Sequence, residues 1–377
     1  MRKKGAALAA VTRAALAALL LSVSFPVHLA PDAPNDVRLG AARAVGGELA
    51  DGRPAEPYAG LAQWGWHTAQ VDAAWDRQLG SPDVIVATID TGVDRGHPDL
   101  AGVLLPGATF VSAPSSVCPD GDGQDDNSHG THIAGIIGAN RNNSLGIGGV
   151  AYGVRILPVK ALDCSGFGMT SDIAQGIVWA TDQGARIVNV SLGTSVDAAD
   201  LDAAVRYALG RGALVIAAAG NCGALGGRCQ VADRPEYPAA LPGVLAVGAT
   251  DTGDGLAMFS TRGPQIALAA PGVRIVSTMP RYPTYGSSRG ESLGYGTMSG
   301  TSQSSAFVSG IAALIWSAAP SLSARDVFEL LTSSAEDFGA PGRDDGFGSG
   351  RVNALRAVQG AQIAAMKSRS LVAVQPR

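Results

Sequence analysis

The chain has 377 residues and a formal net charge of −4, so it is long enough for one large core or two medium ones. Only 16% of the residues are charged and 50 are glycine, which is typical of an α/β enzyme with many tight turns and excludes a disordered or coiled-coil protein. The mild negative charge and the lack of a basic run in the body of the chain argue against nucleic acid as a partner.

The first thirty residues are typical of an export signal. Three basic residues at positions 2–4 precede an uncharged apolar run at 14–23, which is too short to span a bilayer. We therefore expect residues 1–30 to be a signal peptide and the mature protein to be secreted or periplasmic, without a membrane anchor. Residues 31–55 are rich in Pro, Ala, Gly and Asp, and we expect them to form a short pro-segment or an N-terminal extension.

From residue 83 onward, short β-branched runs alternate with helical stretches. Apolar strands separated by helices predict a parallel sheet that is covered on both faces. The predicted strands are residues 84–89, 154–161, 187–190, 213–219 and 244–249. The predicted helices are residues 131–137, 171–183, 198–209, 302–318 and 324–333. Residues 361–377 are expected to form a C-terminal tail, frayed from Met366 onward.

Three glycine-bordered turns carry an aspartate, a histidine and a serine in chain order. Asp90 lies in the segment IDTGVD, His129 in SHGTH and Ser302 in GTS. A serine hydroxyl is a poor nucleophile unless a base removes its proton, and an imidazole base needs a carboxylate to hold its tautomer and stabilise its charge. Asp90 ends a predicted strand, whereas the other two stand at predicted helix starts. The pattern predicts a nucleophilic serine hydrolase.

These motifs resemble those of the subtilisin-like serine proteases, or subtilases, and the resemblance runs from residue 57 to residue 357. The aspartate segment continues into HPDL at 97–100, and the histidine segment reads NSHGTHIAG at 127–135. The resemblance implies a subtilisin-like fold, a three-layer α/β/α sandwich with a central, mostly parallel sheet of seven strands. It also implies a secreted endopeptidase that acts on protein or peptide substrates, closest in pattern to thermitase-like members. We expect the protein to be a monomer.

The resemblance also assigns catalytic roles. Ser302 would attack the scissile carbonyl, His129 would take and return the proton, and Asp90 would orient His129. The segment AAAGN, which ends at Asn221, is similar to the family's oxyanion segment, so the Asn221 side chain and the Ser302 amide would bind the oxyanion. We expect Ser302 to cap its helix as well, and His132 to be a buried, hydrogen-bonded histidine.

Two segments resemble the edges that bind an extended substrate between them. They are Ser191-Leu192-Gly193, which would also wall the primary specificity pocket, and Gly166-Phe167-Gly168. Cys222 stands beside Asn221, where some relatives carry a charged pocket residue. Because a cysteine brings no charge, we expect a preference for apolar side chains.

A calcium site follows from a further resemblance. Residues 141–151 are similar to the calcium loop of subtilisins and thermitases, and Glu56 precedes a Pro-Tyr as an acidic residue does in thermitase-like members. The implied ligands are hard oxygens from Glu56, Asp99, Asn143, Leu145 and Ile147, with a further carbonyl from Asn140 or Arg141. The acidic run at 120–126 is either a second calcium site or a solvated loop.

Four cysteines in an exported protein allow two disulfides in three connectivities. Cys222 and Cys229 are close enough in sequence to join, which leaves Cys118 with Cys164, a placement also known in thermostable relatives. Metal binding by the cysteines is disfavoured because no CxxC spacing occurs.

The chain departs from the family pattern after the nucleophile and at its start. Gln303 replaces the usual methionine, and Ala306 and Phe307 replace a common proline and histidine. Residues 31–55 are too few for the usual folded pro-domain, so we expect calcium and the disulfides to stabilise the fold instead.

Three other functions compete with this interpretation. Asp251-Thr252-Gly253 suggests an aspartic protease, which would need an all-β fold. A catalytically dead binding module and a processing protease with a single substrate are the remaining alternatives.

Overall fold

The computed structural model describes residues 63–118, 123–143, 145–223, 229 and 231–373, with side chains up to 367. The predicted signal peptide, the 31–55 segment and Glu56 lie outside the described residues.

Nine strands are present in the described part of the chain. They are β1 Ile85–Asp90, β2 Ala108–Thr109, β3 Arg155–Lys160, β4 Ile187–Val190, β5 Leu214–Ala218, β6 Leu245–Thr250, β7 Ile266–Pro271, β8 Ile275–Thr278 and β9 Tyr295–Met298. The first seven form one sheet in the order β2-β3-β1-β4-β5-β6-β7, and every neighbouring pair is parallel. Strands β8 and β9 pair separately and antiparallel.

Helices cover both faces of the sheet. They are α1 Trp64–Thr68, α2 Val71–Trp75, α3 His129–Gly138, α4 Thr170–Asp182, α5 Ala199–Gly210, α6 Thr301–Ala318, α7 Ala324–Ser333 and α8 Ala354–Ala373. Side chains of α4 and α5 pack on one face, and those of α3, α6, α7 and α8 on the other. Successive strand residues such as Val86 and Ala87 belong to opposite cores, because side chains alternate along a strand. The predicted α/β/α sandwich is confirmed.

Three of the predicted site residues lie at the carboxyl ends of the central strands. Asp90 is the last residue of β1, Ser191 directly follows β4, and Asn221 lies shortly after β5. Because β1, β4 and β5 are neighbours and parallel, these three residues reach the same edge of the sheet. Helices α3 and α6 begin at that edge with His129 and Thr301.

All five predicted strands and all five predicted helices are present, with ends that differ by at most two residues. Strands β2, β7, β8 and β9 were not predicted. The sequence of β7, IALAAP, is rich in alanine and ends in proline, which weakens the strand signal. Helix α8 ends at Ala373, so residues 361–373, which the sequence analysis assigned to a C-terminal tail, are helical. Among the described residues, no helix is both long and apolar enough to cross a lipid bilayer.

Candidate active site

His129 and Asp90 form a direct contact where α3 meets the end of β1. His129 Nδ1 lies 2.7 Å from Asp90 Oδ1, and the Asp90 side chain is fully buried while that of His129 is one-quarter exposed. Burial lowers the pKa of His129, but the charge of Asp90 and its hydrogen bond outweigh this effect, so the pKa of His129 is raised above its ordinary value. Asp90 therefore stabilises the charged imidazolium, as a catalytic base requires.

A second buried carboxylate, Asp125, joins the two segments that carry this pair. It accepts hydrogen bonds from the Thr91 hydroxyl at 2.8 Å and the Thr131 hydroxyl at 2.6 Å, and also from the backbone amides of Asn127, Ser128 and Thr131. The next carboxylate, Asp126, lies 2.6 Å from the ammonium group of the buried Lys160. The Asp126 carboxylate thus already has a protein cation as its partner, which disfavours it as a ligand of a second calcium ion. Residues 120 and 122 lie outside the described part of the chain.

Ser302 is the second residue of α6 and is 9% exposed. Its hydroxyl donates to the carbonyl oxygen of Ser191 at 2.9 Å. Among the described residues, this carbonyl and not His129 is the partner of the hydroxyl. Gly300 precedes the helix and caps it without a side-chain bond, so the expectation that Ser302 is the N-cap was wrong. The cap position needs an extended backbone, which Gly300 supplies.

The side-chain amide of Asn221 is held at the start of α6. Its Oδ1 accepts hydrogen bonds from the Thr301 backbone nitrogen at 3.0 Å and the Thr301 hydroxyl at 3.1 Å, and the same hydroxyl accepts from the Gly220 amide at 3.1 Å. With its oxygen fixed in this way, Asn221 presents its Nδ2 donors away from Thr301. A Cβ added to Gly300, two residues before Ser302, would lie 3.4 Å from Nδ2.

The two predicted substrate edges follow the strands on either side of β1. Gly166-Phe167-Gly168 lies beyond β3, where the exposed Phe167 amide donates to Asp163 and the Phe167 carbonyl accepts from the Asp163 amide. Gly166 has φ +83°, a conformation that favours glycine. The other segment, Ser191-Leu192-Gly193, follows β4, with Ser191 buried and Gly193 exposed. The segments thus flank the strand that carries Asp90.

Four of the predicted calcium ligands come together in the described residues. Asp99 Oδ1 accepts from Asn143 Nδ2 at 2.7 Å, and Asp99 Oδ2 accepts from the Ile147 amide at 3.0 Å. Asn143 Oδ1 accepts from the Leu145 amide at 3.1 Å. Asp99 is fully buried, and burial raises the pKa of its carboxyl against the hydrogen bonds, which lower it. A buried carboxylate with neutral donors and adjacent amide oxygens fits a hard cation such as Ca²⁺.

Both expected disulfides are present, Cys118–Cys164 and Cys222–Cys229. His132 is buried with Nε2 3.0 Å from the Ile275 carbonyl oxygen, and burial lowers its pKa to about 3, so it is structural as expected. Asp251 accepts from the amides of Gly253 and Gly255 within a turn. Together with the parallel sheet, this excludes the aspartic-protease alternative.

Sequence reasoning missed one carboxylate at this edge of the sheet, that of Glu236. It lies beside Gly193 and Gly220, and burial raises the pKa of its carboxyl. Glu236 is distant along the chain from Gly193, and the pairing of Tyr237 with Thr194 brings the two segments together. The one feature of the sequence that could have pointed to Glu236 is its position as an acidic residue directly before Tyr237-Pro238.

Comparisons with known proteins agree with this geometry. Residues 81–350 match the family model described as "Subtilase family". Thermitase of Thermoactinomyces vulgaris is 40% identical over 306 residues, which cover 81% of this chain and 99% of thermitase. Subtilisin Savinase of Lederbergia lenta is 40% identical over 296 residues, 78% of this chain and 98% of that protein. A solved protease structure from Pseudoalteromonas arctica has a TM-score of 0.69 at 30% identity, covering 79% of this chain and 97% of the other.

Proposed function

The chain belongs to the subtilase family and is a subtilisin-like serine protease, and from that premise we propose that it is a secreted endopeptidase that cleaves extended protein segments through an acyl-enzyme. The contact of 2.7 Å between His129 Nδ1 and Asp90 Oδ1 carries the proposal. A histidine whose Nδ1–H donates to a buried carboxylate has an unprotonated Nε2, which can take a proton from a neighbouring hydroxyl.

In the first step, the Ser302 hydroxyl leaves the Ser191 carbonyl and turns to His129 Nε2. Oγ then bonds to the scissile carbonyl carbon while its proton passes to Nε2, and Asp90 stabilises the imidazolium. The imidazolium gives this proton to the departing amine as the carbon–nitrogen bond breaks. Water, activated by the same imidazole, then releases the acid product and restores Ser302.

The tetrahedral oxyanion takes its hydrogen bonds from Asn221 Nδ2 and the Ser302 backbone amide. Because Thr301 already holds Asn221 Oδ1, these donors need little reorganisation when the charge develops. The Asn221 oxygen is thereby kept from facing the oxyanion, which it would repel.

The substrate lies extended between Gly166-Phe167-Gly168 and Ser191-Leu192-Gly193. Backbone groups on each side supply strand-like hydrogen bonds that do not depend on the substrate sequence. Such binding suits an endopeptidase, and specificity then comes from the pockets that receive individual side chains.

Calcium is a structural cofactor in this proposal, held by Asp99, Asn143 and the carbonyls of Leu145 and Ile147, with Glu56 from outside the described residues. The ion supplies charge for a buried carboxylate and ties residues 141–151 to the HPDL segment. The protein is proposed to be exported through residues 1–30 and to act as a monomer. N-terminal sequencing of the secreted protein tests where the mature chain begins.

The proposed activity is tested with the full chain and its Ser302→Ala variant. Wild type should hydrolyse casein and be labelled at Ser302 by a serine-directed phosphonate, whereas the variant should do neither. Hydrolysis that survives the Ser302→Ala change would rule out Ser302 as the nucleophile. An inactive, unlabelled wild type would support the binding-module alternative, and peptide-library profiling would separate broad degradation from processing of a single substrate.

A further inference from the structure

Glu236 lies beside two glycines, Gly193 and Gly220. The residue after it, Tyr237, exchanges two backbone hydrogen bonds with Thr194, at 3.0 and 2.8 Å, and this bridge places Glu236 against Gly193. A Cβ added to Gly193 would collide with the Glu236 carboxylate, and one added to Gly220 would lie 2.6 Å from Glu236 Cδ. The carboxylate therefore fills the space that side chains at these two positions would occupy.

The same glycines lie next to the catalytic groups. Gly193 comes two residues after Ser191, whose carbonyl oxygen is 2.9 Å from Ser302 Oγ, and Gly220 immediately precedes Asn221. Strands β4 and β5, which lead into these segments, are neighbours in the sheet. Because these two positions carry no side chains, the Glu236 carboxylate lies directly against the backbone that follows both strands.

The charge of Glu236 has no compensating partner in the described part of the chain. Cys222 Sγ lies 3.0 Å from Glu236 Oε1, but a disulfide sulfur has no proton to donate. The closest described arginine in sequence, Arg234, donates to the Ser195 carbonyl instead. Burial alone raises the pKa of Glu236, without any hydrogen bond or cation that lowers it. A half-buried carboxylate in this state favours a cationic ligand.

We propose that Glu236 selects substrates with a lysine or arginine immediately before the scissile bond. The inference rests on the proposed function, because it takes Ser302 as the nucleophile. The side chain nearest to Ser302 is the one on the residue that carries the scissile carbonyl, so this side chain points towards Gly193, Gly220 and the carboxylate that lies against them. Its aliphatic stem packs along the glycine backbone, and its charged end reaches the carboxylate.

Glu236 changes the substrate preference that was expected from Cys222. The position beside Asn221 indeed brings no charge, but a charge arrives from a different segment through the Thr194–Tyr237 bridge. A bound metal is the other way to satisfy Glu236, since Cys222, Cys229 and Glu236 have ligand atoms within 4.8 Å of one another. The two sulfurs form a disulfide and are not thiolates, so a substrate cation is the better occupant.

The test uses chromogenic peptides that differ only in the residue before the scissile bond: lysine, arginine, glutamine or leucine. For wild type, kcat/KM for lysine or arginine should exceed that for glutamine by about tenfold or more. Glu236→Gln should lower kcat/KM for the cationic peptides by about 10- to 100-fold and leave the leucine peptide within about threefold. The leucine peptide thus reports that the variant is folded. Glu329→Gln, a change on the distant helix α7, should leave kcat/KM unchanged for both the cationic peptides and the leucine peptide.

Equal cleavage of the lysine and glutamine peptides, unchanged by Glu236→Gln, would overturn the inference. So would a cationic preference that appears only after Arg228→Ala, because Arg228, outside the described residues, would then neutralise Glu236 in the native protein. In both cases casein hydrolysis and phosphonate labelling of Ser302 would leave the proposed function standing. If wild type cleaves no peptide and resists the phosphonate, the function and the inference fail together.

Discussion

Thr301 holds the Asn221 side chain by two hydrogen bonds to the same atom, Asn221 Oδ1, at 3.0 Å from its backbone nitrogen and 3.1 Å from its hydroxyl. The backbone bond comes with the start of α6, whereas the hydroxyl bond depends on the side chain at this position. The helix that carries the nucleophile therefore also orients the proposed oxyanion donor.

Thr301→Val should slow turnover because it removes the hydroxyl while keeping the β-branched shape. We expect kcat to fall by about 10- to 100-fold with KM nearly unchanged, less than the 100- to 1000-fold expected for Asn221→Ala. Thr301→Ser keeps the hydroxyl and should retain most of the activity. Steady-state kinetics on one peptide checks all three, and a rise in KM at constant kcat would place Thr301 in substrate binding instead.

The pH dependence of kcat/KM should follow the protonation of the His129 imidazole. Only the neutral imidazole can accept the Ser302 proton, so activity should rise with pH through the pKa of His129. Asp90 raises that pKa, so the midpoint should lie above the ordinary value of 6.5. A peptide with leucine before the scissile bond keeps the titration of Glu236 from contributing.

Asp90→Asn provides the matched control for this titration. Burial alone lowers the pKa of His129, so removing the carboxylate charge should move the midpoint below its wild-type position. Activity above the midpoint should fall by roughly 10⁴-fold because the amide no longer stabilises the imidazolium or its tautomer. An unmoved midpoint would mean that a different group controls the profile.

The sequence was sufficient for the sheet, its covering helices and the Asp-His-Ser order because each depends on a local pattern. Apolar strand runs, glycine turns and helix starts all lie within a few residues of the groups they position. The contacts that were not predicted join residues that are far apart in the sequence. Ser302 Oγ donates to the carbonyl of Ser191, 111 residues earlier in the chain, and the Thr194–Tyr237 bridge brings Glu236 next to Gly193.

The two disulfides should differ in their effect on stability, because they close loops of different length. Cys118 and Cys164 are 46 residues apart, and Cys222 and Cys229 are 7 apart. In a Ser302→Ala background that prevents self-digestion, the paired Cys→Ala change at the long loop should lower the free energy of unfolding by about 4 kcal/mol. The same change at the short loop should cost about 2.5 kcal/mol. Urea unfolding measures both, and equal losses would point to packing instead of loop entropy.

Calcium should stabilise the folded protein through Asp99. In the Ser302→Ala background, calcium at about 100 times its dissociation constant should add about 2.7 kcal/mol to the free energy of unfolding, and a chelator should remove this gain. Asp99→Asn should abolish the response to calcium because it removes the only described carboxylate of the set.

Asp163→Asn is the control for the calcium experiment. Asp163 is also buried and accepts hydrogen bonds from Ser165 and from the Ser115 amide, but it lies outside the calcium loop. Its substitution should lower stability and preserve the calcium response. Refolding in chelator as efficiently as in calcium would contradict a structural role for the ion.

Gln303, the residue after the nucleophile, should make the enzyme resistant to peroxide. The subtilase pattern has a methionine here, and a sulfoxide beside Ser302 and the oxyanion donors would add a bulky polar group where the reaction occurs. One thioether remains near, since Met298 Sδ lies 3.9 Å from Gln303 Nε2, but it belongs to β9 and not to α6. We expect wild type to keep most of its activity in moderate peroxide, and Gln303→Met to lose it under the same conditions. Rapid inactivation of wild type would contradict this prediction, and its prevention by Met298→Leu would identify the Met298 sulfur as the sensitive group.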